Sequence, residues 1–306
     1  MHLVLKKDMI SKIDNIQKKI FISLSILAFI FYYFVGFQNS LNIQVILLFF
    51  LVSIIGIPHG FFDFSIGKII FKKHLNLWLL YFVTMYILIF IIYFVSWIFL
   101  PGLSLVIFLF LAAYHFGFED YNYLSGEKEN YFNISILIKG LIIVFTPILF
   151  HFNDINHLFQ LLIGYKIQNI DFTFLQKFLF SALSIFHIVI EKKKEFLYKL
   201  EGLFAFANFV FLPPLLSFIL YFCFMHSIRH FIESIYVSKL LPENFTIKSF
   251  LIFIVAGSFV FSLLSIIWIY NSYEISINET IIKFIFIILA CLTLPHMIFN
   301  MWPYKK

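Results

Sequence analysis

Charge is scarce in this sequence. Of its 306 residues, 12% are Asp, Glu, Lys or Arg, against roughly 25% in a soluble globular domain. That shortage excludes an ordinary water-facing surface. With 62% hydrophobic residues and a mean hydropathy of +0.98, the chain carries more apolar surface than a globule can bury. Lipid as solvent accounts for both observations. Cysteine is nearly absent. Cys223 and Cys291 both sit in apolar stretches, make no disulfide framework and read as small buried hydrophobes. There is no glycine-rich phosphate loop, internal repeat or low-complexity linker, and no soluble module large enough to fold by itself. Alternating strand patterning is missing, which argues against a β-barrel. The net charge of +6 is no nucleic-acid footprint, because the lysines cluster in short polar loops, as in cytoplasmic loops of membrane proteins. No small-residue cleavage site follows the apolar run 21–35, so that run reads as an uncleaved first span rather than a signal peptide. The 46 phenylalanines accompany many Ile, Lys and Asn, the composition of an AT-rich genome, and mark no binding surface on their own.

What is present is a succession of long apolar runs. Crossing ~30 Å of hydrocarbon takes ~20 mostly apolar residues. Such runs cover 20–37, 42–63, 77–99, 102–122, 134–151, 172–190, 203–238, 249–270 and 281–302. The sixth is the weakest, and Pro213-Pro214 should break the seventh. The expectation is an all-α, polytopic integral membrane helix bundle with about seven to nine transmembrane helices. A basic polar N-terminal segment, 1–19, precedes a single multi-pass membrane catalytic domain, 20–306. The distribution of lysine predicts a cell-membrane protein with a cytoplasmic N-terminus. Lys6, Lys7, Lys12, Lys18 and Lys19 fall on one side with Lys68, Lys72 and Lys73 and with Lys192, Lys193, Lys194 and Lys199. The uncharged loop at Asn39 and the Pro101-Gly102 turn fall on the other, whereas Lys305 and Lys306 fit the alternation less well.

Ten histidines are present. His2, His74, His151 and His157 lie in or beside polar loops and read as solvated. His187, near the end of the weak sixth run, is given no role. The remaining five lie inside apolar stretches: His59 in IGIPHGFFDF, His115 in LAAYHFGFED, His226 and His230 in FMHSIRHFIE, and His296 in LTLPHMIFN. Ionisable residues within a span are costly, face the bundle interior and mark function. One such histidine is as readily an interhelical hydrogen-bond partner, but five are harder to explain that way. Each neutral imidazole offers one lone pair and one N–H, which suits a metal ligand steadied by an outer acceptor. His226 and His230, four apart, share a helix face about one turn apart, a spacing at which two imidazoles can hold one ion. Asp63 follows His59 by four, Glu119 and Asp120 follow His115, and Glu233 follows His230 by three. Asp63, Glu119, Asp120 and Glu233 are candidates to accept a free imidazole N–H. A helix-end position at the membrane interface is the competing reading for Glu119 and Asp120. Arg229 is expected to pair with Glu233.

An all-nitrogen donor set suits Fe, Zn, Cu or Ni, and with no thiolate nearby an Fe–S cluster is excluded. Zinc more often closes at four ligands, whereas an octahedral ion keeps open positions for O₂, which leans toward iron. Gly56, Gly60 and Gly117 beside the histidines allow close approach of helices or substrate. Pro58 and Pro295, each directly before a histidine, should bend their helices where a cavity can open.

PHGFFD (58–63), HFGFED (115–120), HSIRH (226–230) and the late PH (295–296), in that order, resemble the bacteriorhodopsin-related-protein-like family of membrane β-carotene 15,15′-dioxygenases. The resemblance runs from about residue 40 to the C-terminus. It implies a non-haem iron enzyme that cleaves the central double bond of β-carotene with O₂, giving two all-trans-retinal. It implies Fe(II) held by His59, His115, His226 and His230, with His296 in a tunnel-lining or supporting role. β-Carotene, O₂ and the lipid bilayer are the implied partners, with no nucleic acid, and a retinal product raises a functional link to a retinal-binding rhodopsin. Phe61, Phe62, Tyr114, Phe116 and Phe224 are candidates to line an apolar tunnel, although each alone is more readily a packing or lipid-facing residue. A di-iron desaturase needs several histidine boxes where this chain has one HxxxH, and a bis-histidine haem protein would show a Soret band. The alternative from another class is a membrane transporter or channel with a histidine-lined cation or proton path. Inverted repeats, which would favour it, are not visible.

Overall fold

Hydrocarbon offers no hydrogen-bond partners, so each backbone amide in a span must bond within its own helix. A computed structural model describes residues 2–34, 41–72, 76–124, 133–191, 195–237, 246–272 and 275–301, and among the described residues it is built from helices without strands. In chain order they are α1 (His2–Phe34), α2 (Leu41–Phe71), α3 (Trp78–Phe99), α4 (Pro101–Asn122), α5 (Ile134–Phe150), α6 (Phe152–Ile163), α7 (Phe174–Ile190), α8 (Phe196–Phe211), α9 (Pro214–Tyr236), α10 (Ile247–Ser272) and α11 (Ile277–Met301). Seven of these are long and apolar enough to cross a membrane, and the α5–α6 pair, bent by 103°, makes an eighth if it is one span. The protein is a polytopic membrane helix bundle.

Several boundaries differ from the sequence reading. The division at residue 19 falls inside α1, which runs unbroken through it. Lys18 is buried, with Nζ 2.5 Å from Asp14 Oδ2. The weak sixth run forms α7, a shorter apolar helix. His151 sits at the α5–α6 bend and donates from Nε2 to the Val210 carbonyl at 3.0 Å. The expectations placed on Asn39, Lys73, His74, Lys192, Lys193, Lys194, Lys305 and Lys306, and on the side chains of His2, Lys6 and Lys7, lie outside the described residues.

Proline sets the main breaks. Pro101 and Pro214 open α4 and α9 in the first turn, where a missing N–H has no helical partner to lose. Pro213-Pro214 separates α8 from α9, as the sequence predicts. Within α2 a π-helical turn at Val52–Gly56 runs into a tight 3₁₀ turn at Ile57–Phe61 that contains Pro58. The centre of α9, Leu220–Ser227, is π-helical too. There Ser227 Oγ donates 2.8 Å to the Phe222 carbonyl five residues back.

Burial orders the bundle. In its most apolar stretch α9 is 78% buried, whereas α3 is 17% buried. α9 is therefore the central helix and α3 a peripheral, lipid-facing one. α4 and α5 cross with their backbones in close contact. A Cβ on Gly117 would stand 2.0 Å from the Ile136 carbonyl oxygen, and one on Gly140 would stand 1.7 Å from that of Ala113. Only glycine permits this backbone-to-backbone approach, and it places His115, two residues from each contact on α4, at a set depth in the core. Replacing Gly140 with Leu should force the two helices apart and cost upward of about 1–3 kcal/mol. A thermal midpoint in detergent at least several degrees below wild type is expected, and an unchanged midpoint would show that the crossing does not constrain the fold.

Candidate active site

The five histidines from apolar stretches come together in one place. His59 arrives on α2, His115 on α4, His226 and His230 on α9, and His296 on α11. Each is at most 8% exposed. One ring nitrogen each from His59, His115 and His226 lies within 4.8 Å of the others, and the His115 and His226 Nε2 atoms are 3.2 Å apart. The His230 ring packs 5.3 Å from that of His59 and 5.2 Å from that of His296, which is itself 5.1 Å from His115. Converging imidazole nitrogens suit a first-row metal cation. Three from three helices, buried and this close, fit such an ion, and no thiolate competes for it.

Outer contacts steady these rings. His59 Nδ1 bonds the Gly56 carbonyl. A carbonyl only accepts, so Nδ1 carries the proton and Nε2 keeps its lone pair. Asp63 serves His296 rather than His59, with Oδ1 accepting from His296 Nδ1 at 2.7 Å. The same carboxylate accepts from Tyr86 Oη at 2.9 Å and from Asn300 Nδ2 at 3.3 Å. Glu119, not its neighbour Asp120, lies beside a histidine: its Oε2 is 3.6 Å from His230 Nδ1. Glu233 is buried and lines a small cleft with Glu119 and His230.

Asp120 belongs to a second cluster, next to the histidines on α9. Arg229 ion-pairs with Asp120 and Glu201 instead of Glu233. Its guanidinium lies between the Tyr123 and Tyr198 rings, 4.7 and 4.8 Å from their centroids. Asp120 Oδ2 also accepts from Lys139 Nζ and Tyr198 Oη, both at 2.8 Å. Lys139 reaches Glu191 at 2.9 Å, and Gln17 Nε2 on α1 donates to Glu201 Oε1 at 2.7 Å. This network ties α1, α4, α5 and α8 to the central helix immediately beside His226 and His230.

A cavity of about 300 Å³ reaches the histidines. His59, His115 and His296 stand at its inner wall with Phe116 and Phe222. Phe61 and Phe64 on α2, and Val83 and Ile87 on α3, line it too, and each of these four is 38–50% exposed. Walls that are also outer surface mean that the cavity opens sideways, between two lipid-facing helices. A Cβ on Gly60 would meet nothing nearer than Asp63 Oδ2 at 4.0 Å, so this glycine leaves cavity space unfilled. Among the aromatic candidates, Phe61 and Phe116 line the cavity. Phe62 is instead packed with Ile66 and Phe82, Tyr114 stacks on Phe118, and Phe224 presents its carbonyl to Gln17.

The sequence reading missed Phe64, Phe82, Tyr86 and Phe222 on this wall, and Asn300 behind it. Two carried a local signal: Phe222 precedes His226 by four residues and Asn300 follows His296 by four. The α3 residues carried none.

A family profile described as Beta-carotene 15,15′-dioxygenase matches residues 50–303. The chain belongs to this family. It is also 30% identical to the β-carotene 15,15′-dioxygenase of uncultured marine bacterium 66A03, over 81% of this chain and 90% of that one. No solved structure matches it. The family match spans all five clustered histidines but begins after α1, although Gln17 of that helix joins the buried network.

Removing Glu201 tests the network. Glu201→Ala leaves Arg229 buried with one carboxylate fewer, and losing one partner of a buried pair typically costs about 3–5 kcal/mol. The expected result is a sharply reduced yield of folded protein and a lowered melting midpoint in detergent. A variant as stable as wild type would show that the pair contributes nothing to folding.

Proposed function

We propose that this chain is a metal-dependent carotenoid-cleaving enzyme of the membrane. In this reading it cleaves the central 15,15′ double bond of β-carotene with O₂ and releases two all-trans-retinal. One C=C bond and one O=O bond become two C=O bonds, so the reaction needs no further reductant or proton source. The observation that carries this reading is the convergence of three imidazole nitrogens, two of them from histidines on the wall of an apolar cavity that opens toward lipid. A cation or proton path would call for a polar passage, and hydrocarbon and aromatic walls favour an apolar ligand instead.

His59, His115 and His226 would hold iron(II), with His230 as a fourth ligand, the set that the family motifs imply. Bound iron supplies the redox chemistry with O₂. The chain's own residues do the remaining work. Gly56 holds His59 in the tautomer whose lone pair faces the cluster. Asp63, fixed by Tyr86 and Asn300, holds His296 against the cavity wall, and Glu119 stands beside His230. Phe61, Phe64, Phe116 and Phe222 keep water out and offer flat apolar faces to a polyene. A hydrocarbon dissolved in the bilayer would reach the site through the gap between α2 and α3 without crossing water. The lysine distribution supports a cytoplasmic N-terminus in the cell membrane, and a retinal product would serve a retinal-binding rhodopsin.

Expression in a β-carotene-producing host, followed by chromatography of the pigments, tests this directly. Wild type should convert β-carotene to retinal under air and purify with about one iron per chain, with no Soret band. His226→Ala should lose both iron and retinal formation. Full activity in that variant would sink the ligand assignment, and absence of retinal with wild type would sink the reaction.

A further inference from the structure

A second cavity lies behind the first. It measures about 110 Å³ and is walled by hydrocarbon and aromatic side chains of α4, α5, α6, α8, α9 and α11, among them Ala112, Val144, Leu158, Phe218 and Phe286. Phe116 lines both cavities. Its ring stands edge-on to His226 at 4.9 Å and packs 6.3 Å from Phe222, which in turn stacks on Phe218 at 5.1 Å. Phe116 is therefore the partition between the lipid-side cavity, with its histidine wall, and a second apolar space on the other side of its ring.

Resting on the function proposed above, we propose that this inner cavity is the binding site for the far cyclic end group of the carotenoid, with Phe116 as the side chain that the polyene must pass. A substrate cut at its midpoint needs equal lengths of chain on both sides of the reacting bond. The outer cavity provides space on one side only, from the histidines toward lipid. At about 300 Å³ it is at the lower end of the roughly 300–1,000 Å³ of ligand sites, too small to enclose a long two-ended molecule. The other arm requires apolar room beyond the histidines, and the inner cavity is where such room exists. Its size is suited to one ring: a dry cavity of about 150 Å³ lined by Leu, Ile and Phe accepts benzene, and displacement of Phe116 would enlarge the 110 Å³ toward that. The depth of this end pocket would then set which double bond lies at the histidines, making its lining residues determinants of cleavage position.

The test fills the inner cavity from two different helices, with Ala112→Phe on α4 and Leu158→Trp on α6. Each variant is compared with wild type on β-carotene and on an apocarotenal that keeps one ring and ends in an aldehyde a few carbons past the central double bond. Iron content and melting midpoint confirm that a variant is folded, and either variant alone suffices. The expected result is a fall of about ten- to hundredfold in kcat/KM for β-carotene, the worth of burying one apolar ring. Turnover of the one-ringed substrate should stay within about twofold of wild type. A parallel measurement without O₂ counts β-carotene retained per chain, so that a site can be detected where no cleavage occurs. Lower retention in the filled variants supports the end pocket even if wild type makes no retinal, in which case only the reaction is wrong. Unchanged β-carotene turnover or retention in a folded filled variant overturns the proposal, as does an equal loss for both substrates.

Discussion

The constraint on which everything else depends is that hydrocarbon cannot satisfy a polar group. Imidazoles, carboxylates and the Arg229 guanidinium placed in membrane-spanning helices must find partners inside the bundle. Here they do so in two neighbouring clusters along α9. In one the histidines meet one another and an apolar cavity. In the other Arg229 is held by Asp120 and Glu201 between two tyrosine rings. A single helix turn, 226–230, thus presents imidazoles to one cluster and a cation to the other. The ion pairs hold the central helix against α4 and α8, and so govern the position of His226 and His230 relative to His115.

Irregular backbone coincides with two of the histidines. His59 follows a π turn and sits within a 3₁₀ turn. His226 lies in the π-helical centre of α9. Distortions of this kind re-aim side chains that a regular helix would direct elsewhere. They are tolerated where the freed backbone groups acquire new partners, as the Gly56 carbonyl does with His59 and the Phe222 carbonyl does with Ser227. Small residues work alongside them, since the Gly117 and Gly140 contacts bring α4 against α5 beside His115.

Those same distortions explain where reasoning from spacing failed. Asp63, four residues after His59, would share its face on an α-helix. In the 3₁₀ turn, which runs to Phe61, each residue advances about 120° rather than 100°, and these wider steps swing the carboxylate away, toward His296. Arg229 and Glu233 have good α-helical spacing, yet Glu233 begins a π turn. Two carboxylates and two aromatic faces from other helices surround the guanidinium instead. Of the paired acids after His115, Glu119 faces His230 while Asp120 faces Arg229 and Lys139. Adjacent residues on a helix point about 100° apart, and nothing local tells which cluster each will meet.

The sequence by itself determined that the chain is a helical membrane protein, where its proline breaks fall, and which five histidines lie buried. Those conclusions follow from composition, from run length and from the high free energy of an ionisable group in lipid, and each is local to a segment. Only the tertiary structure decided that the five rings meet, that Asp63 serves His296, that Gln17 of α1 reaches Glu201, and that one phenylalanine divides two cavities. These depend on how helices far apart in the chain cross and rotate against one another. That is set by the packing of whole faces, and no short stretch of sequence contains it.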